Sequence, residues 1–261
     1  MKVPLLITVQ IKRIIVKIIA HRGSNLKAPE NTVSAVKQAW LDGADGVEVD
    51  IRLTADKNVV AFHDENTKRV TNAEYEINKY SFNFLRNLDC TLQKDSENIS
   101  DKIPVIEEIV ETTKDGKELF LEIKCGKEII KPLKEKLAYI FPFDKKKLNI
   151  ISFLPEVLVN IWSSFHEIKT YKLIDLDRNP NMNYLSAVNE AVKNGITGLG
   201  ISGEFYRCRQ MVILAKSAGL KTNVWTVDDT EAAVKYQEIG LDYLTTNKPV
   251  LMKKTLTMGG G

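Results

Sequence analysis

Histidine and cysteine are scarce in this 261-residue chain, with three of each. Cys90, Cys125 and Cys208 stand far apart, with neither metal-ligand spacing nor a disulfide framework. They read as reduced, mostly buried thiols. No glycine-rich fingerprint follows the first strand-like run, which argues against a doubly wound dinucleotide fold. Charge of one sign is also lacking. Lys plus Arg number 37 against 34 Asp plus Glu, a net +3, so charge gives no reason to expect a nucleic-acid partner. The apolar run at 4–11 is too short to span a membrane. It is followed at once by Lys12, Arg13 and Lys17, and no small-x-small cleavage site appears. The expectation is a cytoplasmic protein without stable membrane insertion, its apolar N-terminus folded in and its tail Gly259, Gly260 and Gly261 frayed.

What is present is an alternation. Short β-branched runs end before His21 and recur at 46–53, 118–124, 148–153, 167–173, 198–202, 221–227 and 242–246, eight in all. Amphipathic stretches lie between them. In 31–43, Val33, Val36 and Trp40 share one face and Gly43 stops the helix. Residues 183–194, 205–218 and 230–239 read alike, with Gly195, Gly219 and Gly240 at their ends. Strict strand–helix alternation implies a parallel sheet, and eight units in about 250 residues imply a closed α/β barrel. The expected fold is a (β/α)8 TIM barrel, one catalytic domain over 1–261. A polar, turn-rich stretch at about 64–103 breaks the rhythm after the second strand region. It reads as a small inserted subdomain over one end of the barrel.

A buried parallel strand should be continuously apolar. The run at 46–53 is not: Glu48, Asp50 and Arg52 alternate with Val47, Val49 and Ile51. Residues two apart share a face, so the two carboxylates point together into the barrel. Like charges buried side by side cost roughly several kcal/mol unless something positive joins them. Pairing with Arg22 or Lys124 would meet that need, and so would a cation. Glu122 and Lys124 interrupt another apolar strand, and in a closed barrel Glu122 faces the same lumen. Three carboxylates without thiolates suit Mg²⁺ or Ca²⁺ better than Zn²⁺.

His21, in HRG, and His63, before Asp64, each end a β-run, where barrel active sites form. His166 reads as a surface residue without a role. Gly23 permits a tight turn, and Arg22 offers a planar fork for phosphate. Asp64 either orients the His63 imidazole or caps a turn. Together these residues suit phosphodiester cleavage. A metal on Glu48, Asp50 and Glu122 neutralises charge, Arg22 and Lys124 hold phosphoryl oxygens, and two imidazoles serve as base and acid.

The succession HRG at 21–23, APENT at 28–32 and GADGVEVDIRLTADKNVVAFHD at 43–64 resembles the signature of the glycerophosphodiester phosphodiesterases. IPVIEEIV at 103–110, LEIK at 121–124, ISF at 151–153, VWTV at 224–227 and GLDYLTTNKP at 240–249 resemble its later blocks. The resemblance implies a TIM barrel with an insertion, one bound divalent cation, and hydrolysis of glycerophosphodiesters to sn-glycerol 3-phosphate and an alcohol. It matches His21 and His63 to a catalytic pair, and Glu48, Asp50 and Glu122 to metal ligands. It matches Arg22 and Lys124 to phosphate contacts, and Phe153 and Trp225 to aromatic residues at the substrate mouth, where ordinary core packing is the alternative. Glu30 and Asn31 match a supporting motif in which Asn31 is expected to cap the next helix. Two departures stand out. Asn247 replaces the usual Asp of the closing motif, which alters support at the barrel end without removing a ligand. VTNAEYEI replaces a glycine-rich turn after the HD block. Two other functions fit the same residues: a lysophospholipase D-type enzyme, which needs an apolar groove near the insertion, and a non-catalytic barrel binding a phosphorylated ligand. Loss of a histidine or carboxylate would favour the latter, and neither is lost.

Overall fold

The computed structural model describes residues 15–94, 97–113, 116–139 and 144–258. The apolar run at 4–11 and the terminal glycines lie outside the described residues. In chain order the strands are β1 (Lys17–Ala20), β2 (Gly46–Leu53), β3 (Val59–Ala61), β4 (Asp89–Lys94), β5 (Glu97–Lys102), β6 (Glu118–Ile123), β7 (Leu148–Ser152), β8 (Lys169–Asp175), β9 (Gly198–Ser202), β10 (Lys221–Val224) and β11 (Tyr243–Thr246). The helices are α1 (Val33–Leu41), α2 (Phe82–Leu85), α3 (Ile106–Glu111), α4 (Ile130–Tyr139), α5 (Pro155–Trp162), α6 (Tyr184–Lys193), α7 (Phe205–Ser217), α8 (Thr230–Glu238) and α9 (Pro249–Met258).

Eight strands close a parallel ring. From β1 it passes through β2, β6, β7, β8, β9, β10 and β11, and β11 pairs β1 again. These are the eight runs read from the sequence. Their bounds shift by a few residues, most at β8, which runs on to Asp175, and at β10, which ends at Val224. The helical stretches also hold. α6, α7 and α8 are each followed by a glycine at positive φ: Gly195 at 67°, Gly219 at 81° and Gly240 at 76°.

Strand alternation separates two cores. Val47, Val49 and Ile51 point outward and pack with Val36, Ala39 and Trp40 of α1. Inside the ring, Ile19, Phe120, Ile151, Tyr171, Leu173 and Tyr243 form a second cluster. Its rings meet edge-on or tilted, Phe120 lying 5.2 Å from Tyr243 and 5.7 Å from Tyr171. Each such side chain contributes about 1.5–3 kcal/mol by leaving water. The barrel is therefore a packed plug below the site, not a pore.

Between β3 and α3 the chain leaves the barrel. β4 and β5 form an antiparallel hairpin, and Val60, Phe62, Val70, Ile77, Leu85, Cys90 and Ile103 bury a small core of their own. Tyr75, Tyr80 and Phe84 pack against one another at 4.7–5.0 Å. Asp101 of β5 accepts a hydrogen bond from the Ser34 backbone, 2.9 Å away. α1 has no acidic residue in its first turn, so the insertion supplies the negative charge its N-terminus favours. Cys90 and Cys208 are buried and free, and burial pushes their thiols up to about 12 and about 11.

Candidate active site

The parallel register of β2 against β6 sets Asp50 beside Glu122. Glu48 lies two residues back on the same face. The three carboxylates offer oxygens within 4.8 Å of one another. Glu48 and Asp50 are 3% and 1% exposed, so this is a buried acidic cluster at the C-terminal mouth of the ring.

Two cations answer it, as the pairing reading required. Lys124 Nζ lies 2.6 Å from Glu122 and 3.6 Å from Asp50. Arg22 lies 3.1 Å from Asp50 and bonds Glu30 at 2.9 Å, while its backbone N–H donates to Glu48 at 3.0 Å. Arg22 and Gly23 take left-handed φ of 56° and 79°. A Cβ at Gly23 would lie 2.6 Å from the Ala35 backbone, so only glycine allows this turn. Pairing leaves one carboxylate oxygen of the cluster unanswered: Glu48 Oε1 is buried without a hydrogen-bond partner. A buried oxygen in that state costs about 1–3 kcal/mol. Burial, Asp50 and Glu122 raise the Glu48 carboxyl well above its usual value. Burial and Asp50 push Glu122 up to about 7. The oxygen-only donors, the orphaned Oε1 and the excess of negative charge all fit a hard divalent cation.

Asn31 is not the expected cap. Thr32 caps α1 through its hydroxyl, and Asn31, at φ 59°, turns inward. Its amide donates to Asp50 at 2.9 Å and its carbonyl accepts from the Asp50 backbone at 3.0 Å. A buried carboxylate outcompeted a helix end for this side chain.

The two imidazoles flank the acids, and the partners of each fix its tautomer. The Asp228 carboxylate can only accept, so Asn247 Nδ2 donates to it at 2.7 Å. Asn247 Oδ1 then accepts from His21 Nδ1 at 2.9 Å. His21 therefore presents an unprotonated Nε2, 4.0 Å from Glu48. His63 Nδ1 donates to Asp64 at 2.6 Å, so it too has a free Nε2. Burial lowers the pKa of both rings, with the positive charge of Arg22 adding to the effect.

Beside Glu122 and Lys124 opens a cavity of ≈ 760 Å³. Arg52, Glu65, Glu76 and Glu128 are among its walls, and so are Leu53, Ile77, Ile123 and Phe153, so its surface is mixed, polar and apolar in about equal parts. Phe153 follows directly on β7, is 41% exposed and meets Trp225 edge-on at 6.0 Å. Trp225 also packs on the lumen core, so the packing reading holds for it as well. His166 is exposed against Trp162, away from the site.

Three residues of this network escaped the sequence reading. Asn247 does not merely support the barrel end; it holds His21. Asp228 holds Asn247. Arg69 lies in the insertion and bonds Asp64 and Glu30. Asn247 was noticeable as a departure from a motif, but nothing local marked Asp228 or Arg69.

Fold and site together define a phosphoric diester hydrolase built on a TIM barrel. The family profile described as "Glycerophosphoryl diester phosphodiesterase family" matches residues 21–251. The chain belongs to that family. A Caldanaerobacter subterraneus glycerophosphodiester phosphodiesterase is 28% identical over 93% of this chain and 98% of its own length. A solved Thermotoga maritima glycerophosphodiester phosphodiesterase superposes with TM-score 0.74 at 27% identity, over 92% of this chain and 98% of that one. An Oleispira antarctica phosphodiesterase, solved with the product sn-glycerol-3-phosphate, gives 0.78 at 25%, over 92% and 96%.

Proposed function

We propose that the chain hydrolyses glycerophosphodiesters to sn-glycerol 3-phosphate and an alcohol, with one Mg²⁺ or Ca²⁺ on Glu48, Asp50 and Glu122 and with His21 and His63 as the proton-transfer pair. The observation that carries this reading is the set of three converged acids, one oxygen unpartnered, with two imidazoles whose Nδ1 atoms are both engaged. When bound, a divalent cation there supplies Lewis-acid neutralisation of the phosphodiester. Arg22 and Lys124 hold the non-bridging oxygens. Glu30 orients Arg22, Asn31 orients Asp50, and Phe153 and Trp225 flank the mouth.

The two rings have different partners, and that difference supports one division of roles. His63 leans on a carboxylate, which stabilises an imidazolium against the burial that lowers its pKa; once the ring has taken up a proton at Nε2, it gives that proton to the departing alkoxide. His21 leans on a neutral amide and stays neutral; it takes the proton of the attacking hydroxyl at Nε2. The cavity beside Glu122 takes the alcohol. A second reading, lysophospholipase D-type action, draws on an apolar recess of ≈ 310 Å³ that includes Leu26, Val250 and Leu251 and borders Asn247. That recess is lined by none of the three acids and by no insertion residue, whereas the cavity that does border the insertion includes Glu122 and Lys124, so the first reading is the better supported.

Release of glycerol 3-phosphate from glycerophosphocholine and from lysophosphatidylcholine, with and without chelator, tests both. The expected result is turnover of glycerophosphocholine that chelator abolishes and Mg²⁺ or Ca²⁺ restores. Full activity in excess chelator would remove the metal from the account, and preference for the lysophospholipid would favour the second reading.

A further inference from the structure

Arg69 adds a side-chain link between two arms of the site that β2 already ties at the backbone, Arg52 Nε donating to the His63 carbonyl at 2.8 Å and Phe62 N–H to the Asp50 carbonyl at 2.9 Å. Its Nε donates to Asp64 Oδ2 at 2.6 Å, and Asp64 Oδ1 in turn accepts from His63. Its two terminal nitrogens clamp Glu30, Nη1 to Oε2 at 2.8 Å and Nη2 to Oε1 at 2.6 Å. Glu30 holds Arg22, and Arg22 reaches Glu48 and Asp50. One guanidinium therefore links the ring at one side of the site to the phosphate-facing arginine at the other. The fork geometry is essential: three donors on one rigid plane meet two carboxylates, which a lysine cannot reproduce.

The insertion is built to hold this side chain. Thr67 and Thr71, both buried, tie the segment with bonds from the Thr67 hydroxyl to Ala73 at 2.6 Å and from the Thr71 hydroxyl to Thr67 at 2.9 Å. The Val70 carbonyl accepts from Thr91 of β4 at 2.8 Å. Hydroxyls here stand in for the glycine-rich turn that VTNAEYEI replaces. Arg69 itself is 47% exposed, so its ion pairs add little to global stability. Their consequence is local. Despite partial burial, Asp64 is held below its usual pKa by the bonds from His63 and Arg69, and Glu30 by those from Arg69 and Arg22.

We propose that Arg69 is a positioning residue: it fixes the Asp64–His63 pair and the Glu30–Arg22 pair relative to each other, so that the inserted segment, and not the barrel alone, sets the spacing of proton donor and phosphate clamp. This rests on the roles proposed above for His63 and Arg22. In it, Arg69 neutralises Asp64 only in part, leaving enough charge to orient His63 without trapping it as imidazolium.

The test uses the full chain and two independent readouts. The first is NMR titration of the imidazoles without metal, the His63 signal assigned through His63→Gln. In Arg69→Met the His63 pKa should rise by roughly half a unit or more, because a positive charge is lost and Asp64 is no longer shared. In Asp64→Asn it should fall. The second is glycerophosphocholine hydrolysis with Mg²⁺. Arg69→Met should lower kcat by about 10- to 100-fold with a smaller change in KM, as expected for misplaced groups. Arg69→Lys should restore the His63 pKa but not kcat. Glu30→Gln approaches the clamp from its other end, so the double variant with Arg69→Met should be no slower than the worse single one. An unchanged His63 pKa in Arg69→Met overturns the proposal whatever the activity, as does kcat/KM within twofold of wild type. A wild-type chain that turns over no glycerophosphodiester, yet shows the His63 shift, would instead overturn the functional reading and leave the geometry standing.

Discussion

In the proposed function His21 and His63 both move protons, from unlike footings. One donates to an amide that is itself held by Asp228, the other to a carboxylate shared with Arg69. If His63 protonates the leaving group, its loss should matter most for alcohols that are poor leaving groups. His63→Ala should lower choline release by about 10²- to 10⁴-fold but slow a nitrophenyl diester of glycerophosphate far less. His21→Ala should slow both alike. Steady-state rates on the two substrates check this, and equal losses in His63→Ala would reverse the assignment. The chemical types of these residues could be read from the sequence because they break a pattern. Glu48, Asp50 and Glu122 stand where apolar residues belong, and each histidine follows a β-run. Asn247, Asp228 and Arg69 break no pattern. They act through partners distant in sequence, and Asn31 misled because a helix cap and a carboxylate compete for the same amide.

At the scale of elements, β2 and β6 carry the site because their register sets Asp50 level with Glu122. Strand–helix alternation made the eight staves legible, since a parallel strand buried on both faces must read as an apolar run. The β4–β5 hairpin was not legible: DCTLQK and ENISDK show no clean alternation, and their pairing depends on the fold around them. The other ends of the strands carry charge as well. Glu118, at the start of β6, is 1% exposed and bonded by Lys17 of β1, Asn149 of β7 and Lys169 of β8. Burial works against its charge, yet these partners hold its carboxyl below the ordinary 4.5. A folded-state pKa lower than the unfolded one contributes stability that is present above the unfolded value and disappears as pH falls through the folded one. Glu118→Gln should therefore cost about 1–3 kcal/mol at pH 7 in urea denaturation. The gap to wild type should narrow as pH drops below about 4.5. A gap that stays constant down to acid pH would show that the carboxylate charge contributes nothing.

Across the whole molecule the lumen is layered: an ion-paired floor at Glu118, an aromatic middle of Phe120, Tyr171 and Tyr243, and an acidic mouth at Glu48, Asp50 and Glu122. Packed rings lie below the upper carboxylates, and the repulsion among these is met by Arg22 and Lys124. The insertion then closes the arrangement from outside through Arg69. No helix among the described residues is long and apolar enough to cross a membrane, and the cavity beside the mouth is of mixed polarity. The most direct measurement is a crystal structure grown with Ca²⁺ and sn-glycerol 3-phosphate. The account predicts one anomalous peak with oxygens of Glu48, Asp50 and Glu122 at about 2.3–2.6 Å, and a phosphate lying between the His21 and His63 rings. An ion held elsewhere, or a phosphate seated away from both imidazoles, would contradict it.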